Sequence, residues 1–288
     1  MSANGLTRDL ALRTALTAFA TTAETQGQQH IRPFHRYMAL RLVVEGGFLP
    51  EEVTPHPPLQ SSRRGRSVVL RWAPDAETTS ERTIIGGLKS KDVDVVVCKE
   101  YIGPVVAVSL KGTGGAFRNL TNRMEEAIGD CTNVHLMYPG LVYGFFSLIR
   151  GNREGGPGVN SNDVCIKADG SIVDAVRRYH DILEGLSGRE HVRDDPSRYE
   201  AVAMTLVECH GDSAGLRVAG LPPAGGALDP ASFFPSLYRL YDLRYPYMAR
   251  IAGVERVAWS RTSPVVQDIL DACSEDPEPI LGYGLRLA

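Results

Sequence analysis

Two short apolar runs constrain this chain more than anything else in it: Asp94-Val-Val-Val-Cys98 and Pro104-Val-Val-Ala-Val-Ser-Leu110, with only Lys99 to Gly103 between them. β-Branched residues dominate both, and such residues favour extended backbone. So short a connection allows only a hairpin. Neither run alternates cleanly between apolar and polar, so both faces of the hairpin must be covered. A hairpin covered on both faces implies a sheet between layers of helices.

The flanking sequence supplies those layers. Thr7 to Gly47 reads as helical, with one stripe through Leu10, Leu12, Ala15, Leu16 and Phe19 and a second through Tyr37, Leu40 and Val44, halted by Gly46 and Gly47. Leu49 to Arg66, rich in Pro, Ser and Arg, reads as a loop or linker, and Ser67 to Trp72 as a strand. After the hairpin, a turn with Gly112, Gly114 and Gly115 leads into a helix over Arg118 to Ile128, ended by Gly129. Strands are expected over Asn133 to Tyr138 and Tyr199 to Cys209, and Gly140 to Ile149 reads as a strand or a buried segment. Helices are expected after a Ser171/Asp174 cap, near Pro235 to Asp242 and near Pro264 to Cys273, the last two with Pro at the first helical position. The prediction is a mixed α/β fold with a central mixed sheet flanked by helices. It forms one domain over 1–288: an N-terminal helical part (1–60), a core (66–210) and a C-terminal extension (211–288).

Composition narrows the functional classes. The chain is 43% apolar and 23% charged, with a net charge of -3, unlike a histone-like protein coated with nucleic acid. No apolar run approaches the ~20 residues that span a bilayer. The first residues lack a basic segment followed by an apolar one, so a cytoplasmic location is expected. The five cysteines are scattered without a CxxC pair, which supports neither a zinc site nor a disulfide framework.

Chemistry concentrates on the hairpin. Folding it at about Ile102 sets Asp94 opposite Leu110, between Ser109 and Lys111, which share one face of their strand. An acid and a lysine thus converge at the open end of an apolar hairpin. Phosphodiester hydrolysis calls for such a pairing: carboxylates hold Mg²⁺, which prefers oxygen ligands, and a lysine orients or deprotonates the attacking water. The following helix offers a second acid. Taking Met124 as the centre of its apolar stripe leaves Glu125 at the border of that stripe and turns Glu126 towards solvent.

This pattern resembles the PD-(D/E)xK nuclease superfamily, the restriction-endonuclease-like fold: an acidic residue at one strand, then a (D/E)xK tripeptide on the next. Asp94 matches the first acid, with Asp92 as the other choice, and Lys111 matches the lysine. Ser109 departs from the usual acid, as in Type II restriction enzymes that carry SxK and move the acid to the next helix, where Glu125 stands. The resemblance spans roughly Arg66 to Arg150 and implies a Mg²⁺-dependent endonuclease, a Type II restriction enzyme that cuts DNA at a specific site and leaves 5′-phosphate and 3′-hydroxyl ends. Asp94 and Glu125 would bind the metal, Lys111 would act on water, and Ser109 would support them. It further implies a homodimer on double-stranded DNA, and an acid on the helix before the sheet, for which Glu45 is nearest. A repair or defence nuclease of the same fold without strict sequence specificity, or a non-catalytic DNA-binding protein of that fold, fits the same residues.

DNA contacts are expected from Arg63, Arg64 and Arg66 in the most basic short run, and from Arg118, Asn119, Asn122 and Arg123 at a helix start. His135 reads as a packed core histidine. Tyr238, Tyr241, Tyr245 and Tyr247 read as packing residues rather than base-stacking ones.

Overall fold

The computed structural model describes residues 8–22, 28–65, 67–245 and 254–288. Arg66, Tyr247 and the side chain of Arg118 lie outside the described set.

In chain order the elements are α1 (Leu12–Thr21), α2 (Arg32–Val44), β1 (Val53–Thr54), β2 (Leu59–Arg64), β3 (Ser67–Trp72), β4 (Arg82–Ile84), β5 (Lys91–Val93), β6 (Val95–Lys99), β7 (Gly103–Thr113), α3 (Leu120–Met137), β8 (Val142–Arg150), α4 (Asp174–Gly185), β9 (Ala201–Val207), α5 (Pro230–Arg244), α6 (Pro264–Ala272) and α7 (Glu278–Leu281). The central sheet has the order β1-β6-β7-β8-β9. β1, β6 and β7 are antiparallel neighbours, whereas β8 and β9 run parallel to β7. The expected mixed α/β architecture is therefore present. The hairpins β2–β3 and β4–β5 lie outside the central sheet.

The apolar runs explain the layering. Val95, Val97, Val106, Val108 and Leu110 face a cluster with α1, α2, α5 and α6. Val96, Ala107, Tyr143 and Phe145 face a second cluster with α3 and α4. The C-terminal segment does not merely extend a core: Phe233 and Leu237 of α5 pack on β8, and the buried Trp259 donates from Nε1 to Val43 O at 2.8 Å. The described tyrosines behave as read. Tyr238 and Tyr241 are buried, and Tyr241 packs edge-on against Phe48 at 4.9 Å.

Several sequence expectations are corrected. Leu49 to Arg66 is not a plain loop, because it holds β1 and β2, and β2 pairs residue for residue with β3. Its polar composition suits an exposed hairpin. Gly129 does not end its helix: α3 runs through to Met137 and takes in most of the segment read as a strand. A mid-helix glycine costs about 1 kcal/mol, and burial of Cys131 and Val134 further along outweighs that. Pro235 lies inside α5. Pro230 holds the first helical position, and Asp229 caps it by accepting from Ala231 N at 3.1 Å. The Ser171/Asp174 cap is absent, the N-cap of α4 being Val173.

At the β7 N-terminal end of the sheet sits a buried ionic knot. Glu200 Oε1 accepts from Arg189 Nη1 at 2.5 Å and lies 2.6 Å from Arg244 Nη1, while its Oε2 accepts from Tyr143 N at 2.7 Å and lies 3.2 Å from His135 Nε2. Burial alone pushes this carboxyl up, but His135, Arg244 and the Tyr143 N–H more than offset that and hold it below its ordinary value. His135 is thus a packed core residue, as read.

Candidate metal centre

The β6–β7 hairpin turns at Tyr101, whose φ is 66°, and a register shift occurs at Val97/Cys98. Val95 therefore opposes Val108, and the Cα register runs one residue off that expected from a fold at Ile102. Asp94, at the bend between β5 and β6, still reaches the expected strand: its Oδ2 accepts from Leu110 N at 2.7 Å. Burial pushes its carboxyl pKa up, against the opposing pull of the Leu110 N–H, Lys111 and Lys91.

Two residues that the sequence reading missed complete the site. Among the described residues, His35, Glu81 and Asp94 form one group whose ligand atoms all lie within 4.8 Å of one another. His35 comes from the first turn of α2, and Glu81 from the residue before β4. Nε2 of His35 is 3.5 Å from Asp94 Oδ1. That contact is not an ion pair, because burial first of all, with Arg32 and His30 and against Glu81, lowers the His35 pKa to about 4. His35 Nε2 and Glu81 Oε1 are both buried without a hydrogen-bond partner. Buried polar atoms are nearly always paired, so these two unpartnered atoms beside a carboxylate could together hold a cation. Metal–ligand bonds of roughly 2.1 Å set ligand atoms up to about 4 Å apart, and the 3.5 Å between His35 Nε2 and Asp94 Oδ1 lies within that reach.

The remaining candidates divide. Lys111 lies at the site, contributing to the field at Asp94, and its Nζ is 3.1 Å from Glu126 Oε1. Glu126, not Glu125, is therefore the acid that α3 offers. Burial raises the Glu126 pKa somewhat, and Lys111, Lys91 and Arg123 outweigh it, leaving the carboxyl below its ordinary value. Glu125 is exposed and outside the three-residue group. The reason is the longer helix: Cys131 and Val134 move the buried stripe away from Met124, towards the flank that Glu126 shares with Asp130. Asp130 pairs there with Lys91 at 2.5 Å.

Ser109 is buried and bonded to the Tyr143 hydroxyl at 2.7 Å, so it faces the α3 layer rather than the cluster. Asp92 bonds Thr83 Oγ1 at 2.5 Å on the exposed β4–β5 hairpin. Glu45 is held by Arg41 at 2.7 Å and by the Tyr238 hydroxyl at 3.1 Å, and α2 presents His35 to the site instead. Arg63 and Arg64 are exposed on β2, which Ser61 ties to Glu51; the next residue, Glu52, pairs with Lys99 at the end of β6 away from Asp94. Asn119, Asn122 and Arg123 are exposed at the start of α3, on the Lys111 side of the sheet. The glycine turn has a packing role: a Cβ on Gly112 would meet Phe19 at 2.9 Å and His30 at 3.1 Å, so glycine lets the end of β7 close against the first helices.

His35 makes the metal-free fold acid-sensitive in a defined window. Its folded pKa lies below the unfolded 6.5, so its contribution to stability is complete above about 6.5 and is lost as pH falls towards about 4. Between those values, about 3 kcal/mol should disappear. Denaturant unfolding in EDTA across this range should show that loss in the parent and a much flatter profile in His35→Gln. Equal slopes would refute the assignment.

No protein-family model, curated protein or solved structure significantly matches this chain.

Proposed function

We propose that this protein is a metal-dependent endodeoxyribonuclease whose centre is His35, Glu81, Asp94 and Lys111. The observation that carries the reading is the convergence of three ligand atoms, two of them buried and unpartnered, beside a lysine on the neighbouring strand. The order helix, antiparallel hairpin, helix, parallel strand agrees with the resemblance to the PD-(D/E)xK superfamily and supports the same reading.

A divalent cation bound there supplies Lewis-acid polarisation of a phosphoryl oxygen and a water of lowered pKa. His35, held neutral by burial, offers a lone pair at neutral pH without first losing a proton. Asp94 is oriented by the Leu110 N–H, so its second oxygen faces His35. Lys111 is placed to orient the attacking water and offset charge on the phosphorane oxygens, and Glu126 keeps its ammonium near the sheet when no substrate is present. Ser109 takes no part in holding the cation, so the acid missing from the tripeptide is made good by Glu81. The carboxylates accept Mg²⁺, and the imidazole adds affinity for Mn²⁺. Double-stranded DNA is the proposed partner, bound by a homodimer where the site is a palindrome.

Plasmid DNA incubated with the purified protein tests this directly. Cutting should require a divalent cation, stop with EDTA, and reach half its maximal rate at roughly tenfold lower Mn²⁺ than Mg²⁺. Lys111→Ala should slow it by about 10²- to 10⁴-fold. Cutting that persists in EDTA, or that survives Lys111→Ala unchanged, would remove the centre from this hairpin. Discrete fragments indicate a restriction-type enzyme and a smear indicates a nuclease without strict specificity.

A further inference from the structure

His35 has a second face. Besides belonging to the cation group, it lines a cavity of about 600 Å³ between α1, α2 and the loops at 55–57 and 77–79. The loops form one wall because Thr78 N donates to His56 O at 3.0 Å and His56 N donates to Thr78 Oγ1 at 2.9 Å. The cavity has two chemical zones. Ala15, Ala18 and Ala39 on the helices and Pro55 and Pro57 on the loop give it apolar lining of small and ring side chains. The polar part of the lining includes Arg8, Arg32 and Arg36 together with the carboxylates Asp9 and Glu77. Arg36 is already engaged, by Asp9 and by Glu77 at 2.5 Å. Arg32 is exposed and has no ion pair among the described residues.

We infer that this cavity seats one nucleotide of the substrate strand, next to the phosphate held at the cation group. The inference rests on the nuclease reading and names the substrate class of that site. The volume falls within the range of small-ligand pockets and admits a nucleoside monophosphate. Alanine and proline side chains in the lining offer apolar contact to a planar base. Arg32 offers a guanidinium fork to the adjoining phosphate, the geometry that arginine recognises best. Sharing His35 between cavity and cation group fixes the neighbouring phosphate at the centre. A base cannot enter such a recess while paired and stacked, so the nucleotide must be flipped out or unpaired. On its duplex substrate the enzyme should therefore cut faster where the flipped nucleotide is mismatched than where it is paired.

Binding of dAMP to the full chain, followed by titration calorimetry in Ca²⁺, tests the cavity apart from catalysis. Arg32→Ala should weaken dAMP by about tenfold or more. Ala18→Met, which fills the cavity from a half-buried position on α1, should weaken it at least as much, with unchanged melting temperatures as the folding control. A duplex oligonucleotide mismatched at that nucleotide should be cut several-fold faster than its perfect duplex. Absence of dAMP binding, or binding that neither variant alters, would overturn the inference. Inorganic phosphate binding as tightly as dAMP would overturn the placement of the base. Plasmid cutting without dAMP binding removes the cavity and leaves the nuclease, whereas dAMP binding that both variants weaken, without cutting, supports the cavity and removes the nuclease.

Discussion

Replacing Asp94 by asparagine is expected to lower cation-dependent DNA cleavage about a thousandfold while leaving the metal-free fold at least as stable as before. The amide oxygen of asparagine can still accept the Leu110 N–H, so the bend between β5 and β6 keeps its anchor. The lost negative charge removes one of three ligands, and cation chemistry at phosphoryl groups is worth several kcal/mol, or about three powers of ten. Stability moves the other way. Burial raises the folded pKa of Asp94 above its unfolded value, so its favourable contribution is present below the unfolded pKa and is lost as pH rises through the folded one. Whenever it is ionised, this carboxylate is therefore a burden that a bound cation would relieve and a neutral amide never imposes. Melting curves with EDTA and with Mn²⁺ test both halves. The parent should gain with Mn²⁺, and Asp94→Asn should start as high or higher and gain little. A variant that still cuts, or gains as much as the parent, would sink the assignment.

Glu200→Gln should have the opposite profile, with stability lost and the site untouched. The glutamate holds Arg189 and Arg244, and it is inaccessible to solvent on its side chain. Glutamine retains one acceptor for the Tyr143 N–H but cannot neutralise two buried guanidinium groups. Breaking a buried ionic group by removing one partner costs about 3–5 kcal/mol. For a chain of this size that lowers the melting temperature by roughly 10 °C. Calorimetric unfolding of the variant measures it, and a shift of under about 2 °C would mean that the arginines find other partners. Mn²⁺ affinity of the remaining folded protein should match the parent, because the knot joins the start of β8 whereas Asp94 meets β7 near its end.

The division between what could be read locally and what could not follows from how far each signal reaches along the chain. Asp94 and Lys111 were legible because a hairpin is a local structure: once two β-branched runs lie five residues apart, sterics and strand period bring their open ends together. The covering helices were legible for the same reason, each carrying its own apolar stripe. Glu126 was misjudged through a local compromise, since a glycine that reads as a helix stop was overruled by burial of Cys131 and Val134 beyond it. β2 was missed because its residues Gln60 to Arg64 are polar, so that composition alone resembles a loop, and its pairing with β3 is what makes it a strand.

His35 and Glu81 were beyond any local reading. Nothing in the spacing of 35, 81 and 94 marks them as neighbours. The imidazole reads as one more ring on a buried helix, and the carboxylate as one more charge in a polar stretch. Packing of α2 across the end of β6, and return of the chain through β4 and β5, bring them within 4.8 Å. Sequence by itself determined the hairpin, its acid and its lysine, because period and turn length act over a few residues. Tertiary structure alone decided which further side chains share their space, because that depends on how separate layers meet when each buries its apolar face.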